Sequence, residues 1–146
     1  MNLSDCHNFE DFRKLAKKKL PSPIFHYIDG GSDDEVTLNR NTSSFNDYDL
    51  IPSVLNDVSN VDMSTTVLGE KIDFPLFPAA TAMHRLYHHE GERASAKAVE
   101  KMGTIFGTST MATVSIEEIA KVNKGPKLFQ LYIHKDRGLT DNLLER

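Results

Sequence analysis

Thr104-Ile105-Phe106-Gly107-Thr108, followed by Ser115-Ile116-Glu117-Glu118 and then Leu128-Phe129-Gln130-Leu131-Tyr132-Ile133, is the stretch whose reading decides the fold. The outer two runs are short, apolar and bounded by turn residues, the composition of buried strands. Between them Ser115 stands as a helix cap with Glu118 three residues on, a capping box that starts a helix. A strand, a helix and a strand in this order need a crossover, and crossovers join parallel strands. The pattern extends both ways. Upstream, Pro75-Leu76-Phe77-Pro78-Ala79-Ala80 reads as a short buried strand and Glu90 to Met102 as a helix with Ala94, Ala98, Val99 and Met102 on one face. Downstream, Thr140 to Arg146 opens a third helix. The repeat is βαβαβα, which implies an α/β fold: an open doubly wound sheet or part of a (β/α)8 barrel. A barrel takes eight such units and ~250 residues. On that reading the chain holds the first three.

Before the repeat lies a different kind of sequence. Phe9, Phe12, Leu15, Ala16 and Leu20 recur at helical spacing behind Asn8, an N-cap residue, and Pro21 stops the run. Ser22-Pro23 supplies a cap and a first-turn proline for a short helix over Ile24 to Asp29, with Gly30-Gly31 as a left-handed exit. Asp33 to Asn41 reads as a third helix. Phe45 to Asp62 is irregular, and its apolar residues Phe45, Leu50, Ile51, Val54 and Leu55 are expected to tack it to a body elsewhere. Thr65 to Leu68 and Lys71 to Asp73, with a turn at Gly69-Glu70, form a β-hairpin. The expected division is an N-terminal helical and wrapping arm over 1–63 and a hairpin plus three βα units over 64–146.

Composition narrows the class. The chain has 146 residues, 39% of them apolar, with 17 basic and 21 acidic side chains giving a net charge of −4. These are globular proportions, and they exclude collagen-like and broadly disordered chains. Apart from Lys17-Lys18-Lys19 the lysines are scattered, so no footprint for a phosphate backbone is present and no nucleic-acid partner is expected. Cys6 is the one cysteine, and the first residues hold no secretory apolar region; a reducing, cytoplasmic location is expected. The longest apolar run, Phe74 to Met83, is broken by Pro75 and Pro78 and is about half of the ~20 residues a spanning helix needs.

Candidate chemistry lies where the strands end. Thr81 follows the first, Thr108, Ser109 and Thr110 the second, and Gln130 and Tyr132 belong to the third. In parallel α/β folds ligands bind at this carboxyl rim, where strand-end loops and helix N-termini offer backbone N–H groups. A dinucleotide fingerprint is missing, because Ala80 to Glu92 contains only Gly91, and no P-loop follows any strand. His84, His88, His89 and Glu92 are close in sequence but complete no ligand set, so no metal is expected.

Several phrases in order carry a resemblance. Leu20-Pro21, Phe25-His26-Tyr27-Ile28-Asp29-Gly30-Gly31, Ser64-Thr65-Thr66-Val67-Leu68-Gly69, Glu90-Gly91-Glu92, Ser115-Ile116-Glu117-Glu118 and Phe129-Gln130-Leu131-Tyr132 resemble the FMN-dependent 2-hydroxy acid dehydrogenases and oxidases. Each phrase is weak alone, and the ordered set is specific. The phrase at 25–31 and the tail from Lys135-Asp136-Arg137-Gly138 to Glu145-Arg146 are most similar to the bacterial respiratory L-lactate dehydrogenase branch. The resemblance covers the whole chain but only the N-terminal part of a family member.

It implies a partial (β/α)8 TIM barrel with FMN at its carboxyl rim. It further implies oxidation of a small L-2-hydroxy acid, L-lactate to pyruvate, with electrons passing to a quinone or cytochrome. By match of motif, Tyr27 contacts the substrate carboxylate and Tyr132 the hydroxyl at the reacting carbon. Ser109 and Gln130 hydrogen-bond the flavin ring, and the backbone of Ala80, Thr81 and Ala82 faces the flavin edge. The complete enzyme is expected to be a homo-oligomer, cytoplasmic or peripheral at the cytoplasmic membrane face. The sequence departs from the family pattern at three places. Ala80 and His89 stand where prolines are frequent, and Met111 stands where glycolate oxidase carries a bulky aromatic. The family's base histidine and substrate arginine belong to a His-Gly-Gly-Arg-Gln motif that these residues do not contain. Each such element contributes at least ~100-fold to rate, so the 146 residues alone are expected to be an inactive fragment. The alternatives are an oxygen-using 2-hydroxy acid oxidase of glycolate or lactate type, or a non-catalytic flavin-binding or barrel-completing module.

Overall fold

In the computed structural model, which describes residues 2–146, the chain forms two compact units, the first ending at Asp57 and the second running Val58–Arg146. The first unit is helical. Helix α1 (Phe9–Lys19) starts at Asn8, whose side chain accepts the N–H of Asp11 at 3.0 Å as the cap reading requires. Helix α2 (Ser22–Asp29) follows, and Arg13 of α1 grips Asp29 with two bonds, Nε to Oδ1 at 2.6 Å and Nη2 to Oδ2 at 3.0 Å. Leu15 and Phe25 are the buried apolar anchors here.

Two local expectations fail in this unit. Ser22 does not cap α2; Pro21 holds the cap position, Ser22 is already helical, and no side chain closes that end. Gly30 and Gly31 do not turn left-handed. Gly30 leaves α2 extended at φ −83°, and a β-carbon on Gly31 would sit 3.0 Å from Cβ of Leu38, so close packing on α3 (Val36–Ser43) is what favours glycine there. The arm after α3 also differs from its reading. Beyond a 3-10 turn at Ser44–Asp47 it has no regular structure, and Phe45, Leu50, Ile51, Val54 and Leu55 are all exposed rather than tacked down.

The second unit opens with the hairpin. Strand β1 (Thr65–Val67) pairs antiparallel with β2 (Glu70–Ile72), Thr65 opposite Ile72. The turn is Leu68-Gly69, one residue earlier than the sequence reading, and both residues have positive φ (53° and 86°). Positive φ at both central residues is the type I′ pattern, whose twist matches the strands, and here a leucine takes the first position.

Then comes the crossover structure. Helix α4 (Glu92–Lys101) leads to β3 (Phe106–Ser109), α5 (Ile116–Val122) to β4 (Lys127–Gln130), and α6 (Arg137–Glu145) closes the unit. β3 and β4 pair parallel, with Phe106 opposite Lys127 and Ser109 opposite Gln130. Ser115 caps α5 by accepting the N–H of Glu118 at 3.2 Å, but the carboxylate of Glu118 does not complete a capping box. It binds Arg93 Nη2 at 2.6 Å, joining α5 to α4. Between the helices and β3 lies the core of Ala96, Val99, Phe106, Val114 and Ile119, with Val122 packed against it. Burying Phe106 alone is worth about 1.5–3 kcal/mol.

The expected first strand of the repeat is a correction. Residues 75–80 are irregular and mostly exposed, and one parallel bridge, Thr81 to Thr108, is all the ladder they make with β3. Pro75 and Pro78 lack the N–H groups a ladder needs. Side-chain and backbone contacts hold the segment instead: Thr104 Oγ1 donates to the carbonyl of Leu76 at 2.8 Å, and Gly107 leaves room for Ala80 to lie against β3. The α/β class stands, with one parallel pair and a bridged third segment.

Candidate functional site

The carboxyl ends of β3 and β4 bring six of the seven expected site residues to one rim. Ser109 and Gln130 end the two strands as register partners. The Ser109 hydroxyl, buried with its residue, donates toward Gln130 Oε1 at 3.5 Å and accepts the N–H of Met111 at 3.1 Å. One residue on, Thr110 gives both its N–H, at 3.1 Å, and its hydroxyl to the carbonyl of Gln130. The same hydroxyl oxygen accepts the N–H of Tyr132 at 2.9 Å. The position of Tyr132 is therefore set by its main chain, and its ring stays 47% exposed.

On the other flank of β3, Thr81 bridges Thr108, and its hydroxyl donates to the carbonyl of Ala79 at 3.3 Å. Ala80 lies against Gly107 on one side of Thr81, and Ala82 follows, half-buried. The N–H of Met83 donates to the carbonyl of Met111 at 3.1 Å, which ties the loop after Thr81 to the loop after β3. Tyr27 belongs to the first unit, in the last turn of α2, where it is exposed.

Beneath these loops is a group that the sequence reading weighed only as a metal ligand and as part of a family phrase. Glu92, the first residue of α4, is 1% exposed. Its Oε1 accepts the N–H of Thr113 at 2.8 Å and the N–H of His84 at 3.2 Å, and its Oε2 accepts the Thr113 hydroxyl at 2.7 Å. The Thr113 oxygen in turn accepts the N–H of Arg85 at 3.2 Å. Burial pushes the carboxyl up, but the hydrogen bonds from Thr113, backbone N–H groups and His84 outweigh it and hold the group below the usual carboxylate range. The helix N-terminus also favours negative charge at this position. The signal was present in Glu90-Gly91-Glu92: a carboxylate at a first helical position, directly after a glycine at φ 58°. Among the described residues, no group of three or more His, Cys, Asp or Glu is placed to hold a metal ion, and no helix is long and apolar enough to cross a membrane.

Chemically, the rim offers an amide and a hydroxyl side by side, with a neutral phenol a short step along the chain. An amide donates and accepts at once, and a hydroxyl does both through one rotor. Such a pair suits the edge of a planar ring that alternates N–H and C=O groups. The phenol suits a substrate hydroxyl or carboxylate, because it is a donor without charge.

Residues 16–146 match the family model described as FMN-dependent dehydrogenase. The chain is 46% identical over 136 residues to an L-lactate dehydrogenase of Vibrio parahaemolyticus, covering 93% of this chain and 36% of that protein. It is 42% identical over 139 residues to glycolate oxidase of Spinacia oleracea, covering 95% and 38%. Among solved structures, the recombinant flavin-binding domain of baker's yeast flavocytochrome b2 superposes with a TM-score of 0.90 at 33% identity, covering 99% of this chain and 38% of that one. The chain thus spans less than two-fifths of the length of each of these proteins.

Proposed function

Because the chain belongs to the FMN-dependent dehydrogenase family, we propose that the β3–β4 rim is one wall of a flavin site in a (β/α)8 barrel. Residues 64–146 supply the hairpin and first three βα units of that barrel, and residues 1–63 its N-terminal arm. The observation that carries this reading is the Ser109–Gln130 pair, in register and within 3.5 Å at the carboxyl end of a parallel pair. FMN fits it: the pyrimidine side of the isoalloxazine alternates carbonyl oxygens with an N–H, and an amide beside a hydroxyl answers that pattern.

The reaction is oxidation of a small L-2-hydroxy acid, L-lactate to pyruvate, in which the substrate gives up two electrons and two protons. FMN supplies the two-electron acceptor when bound. The protein residues do the rest. Ser109 and Gln130 orient the ring, the backbone of Ala80, Thr81 and Ala82 lines its edge, and Tyr132 hydrogen-bonds the hydroxyl at the reacting carbon. Met111, at the mouth of the same rim, leaves more flexible room than a bulky aromatic and favours lactate over glycolate. The higher identity to the L-lactate dehydrogenase than to the glycolate oxidase supports the same choice, and with it a quinone or cytochrome as the final acceptor. The glycolate oxidase likeness supports a second reading, in which oxygen is the acceptor. These 146 residues contain no His-Gly-Gly-Arg-Gln motif; with no such base or guanidinium of their own, they are proposed to be inactive alone.

A graft tests this. Residues 1–146 replace the matching part of the Vibrio parahaemolyticus L-lactate dehydrogenase, and flavin reduction is followed with L-lactate and with glycolate. The reading requires a yellow protein reduced faster by L-lactate. A folded graft that holds no FMN refutes the flavin wall, and preference for glycolate refutes the substrate.

A further inference from the structure

We propose that Glu92 is the positioning residue of this rim: its buried carboxylate locks the loop after Thr81 to the loop after β3, and so sets where the ligand-facing backbone lies. The inference rests on the reading of the rim as a flavin and substrate wall. Its own basis is the geometry of one side chain. Glu92 is 1% exposed, and the residues hydrogen-bonded to its carboxylate lie in the two rim loops, His84 in one and Thr113 in the other. Those loops carry the working positions. His84 is two residues beyond Ala82, and Thr113 is two beyond Met111.

The lock has several bonds in parallel. Oε1 takes two backbone N–H groups, Oε2 takes the Thr113 hydroxyl, and that hydroxyl takes the N–H of Arg85. A fifth link, Met83 N–H to Met111 carbonyl, closes the same two loops nearer the rim. His84 is also held through its ring, with Nδ1 3.1 Å from Ser95 Oγ on α4. Residues 82–85 include no strand, and a 3-10 turn over His84–Leu86 shapes them locally; the bonds to Glu92 and Thr113 are what join that turn to the loop after β3. Charge-assisted bonds to a buried carboxylate are the strong kind, and losing one partner strands the others without water.

The test reads loop exchange in the full 146-residue chain and FMN binding in the grafted L-lactate dehydrogenase, and approaches the lock from both sides. Glu92→Ala removes the carboxylate; Thr113→Val keeps the shape but removes the hydroxyl that bonds Glu92 and Arg85. Glu92→Gln is the rescue, because one amide oxygen still accepts both N–H groups while its NH2 donates to the Thr113 oxygen. Amide hydrogen exchange is read residue by residue, and FMN is titrated by its fluorescence. The expected result is exchange at His84, Arg85 and Thr113 at least tenfold faster in Glu92→Ala. Thr113→Val shows the same at His84 and Arg85, with β3 amides unchanged in both. FMN affinity falls at least tenfold in both and returns to within threefold in Glu92→Gln. Should Glu92→Ala not fold, Thr113→Val and Glu92→Gln decide. Unchanged loop exchange overturns the proposal. So does faster exchange with unchanged FMN affinity, which leaves Glu92 a role in the fold alone. A folded wild-type graft that takes up no FMN counts against the flavin wall instead, and loop exchange then decides whether Glu92 is the lock.

Discussion

Gly107 and Ala80 meet backbone to backbone: a β-carbon on Gly107 would lie 2.9 Å from the nitrogen of Ala80 and 3.2 Å from its Cα. Real β-carbons do not approach backbone so closely, so a hydrogen is the only side chain that fits. This contact lets the irregular segment before Thr81 lie beside β3 without the ladder that its prolines deny it.

Gly107→Ala is therefore expected to push Ala80 and Thr81 off β3. Overpacking of this kind costs about 1–3 kcal/mol. Urea unfolding of the chain measures it; a loss under about 0.5 kcal/mol would mean that the segment yields freely and that Gly107 does not set its place.

Tyr132 is anchored through its N–H to Thr110, so removing its hydroxyl leaves the loop intact. In the grafted enzyme Tyr132→Phe is expected to slow flavin reduction by L-lactate at least tenfold, about 1.4 kcal/mol in the barrier, while FMN content stays unchanged. Stopped-flow absorbance of the flavin reads the rate. Unaltered reduction would remove Tyr132 from the chemistry.

Glu92 carries a pH prediction. Its carboxyl titrates below the usual range in the folded chain, whereas the unfolded chain takes the proton near the ordinary value of about 4.3. The folded state is thus favoured by a contribution fully present above that pH and lost as pH falls through the lower folded value. Urea midpoints between pH 7 and 3 are expected to fall more steeply in the wild type than in Glu92→Gln, which has no carboxyl to protonate. Parallel pH profiles would show that the group is not depressed.

The arm is expected to be the first point of proteolytic attack. Residues 48–57 have no helix or strand, and Tyr48, Leu50 and Leu55 are 79%, 95% and 101% exposed. Brief chymotrypsin treatment followed by mass spectrometry is expected to cut there and leave a fragment close to Val58–Arg146. First cuts within α4 or β3 would contradict this.

The parts of the fold legible in the sequence are those specified within a few residues. Asn8 and Ser115 cap the helices they were expected to cap, because a side-chain oxygen reaching an N–H three residues on is a local event. The parallel pairing of β3 and β4 follows from a crossover that has few other solutions. Gly30-Gly31 misled because the same residue type serves both left-handed turns and close packing. Only the neighbour, Leu38, separates the two uses.

At the rim, sequence alone determined that Ser109 and Gln130 fall at strand ends and so on one side of the sheet, since parallel strands share a direction. Tertiary structure alone decided that residues 75–80 are held by Gly107 and Thr104 rather than by a ladder. It alone made Glu92 the buried tie between His84 and Thr113. The reason is distance along the chain. Glu92 and Thr113 are 21 residues apart, and no periodicity or cap records a bond that exists only once α4 and the loop after β3 have packed together.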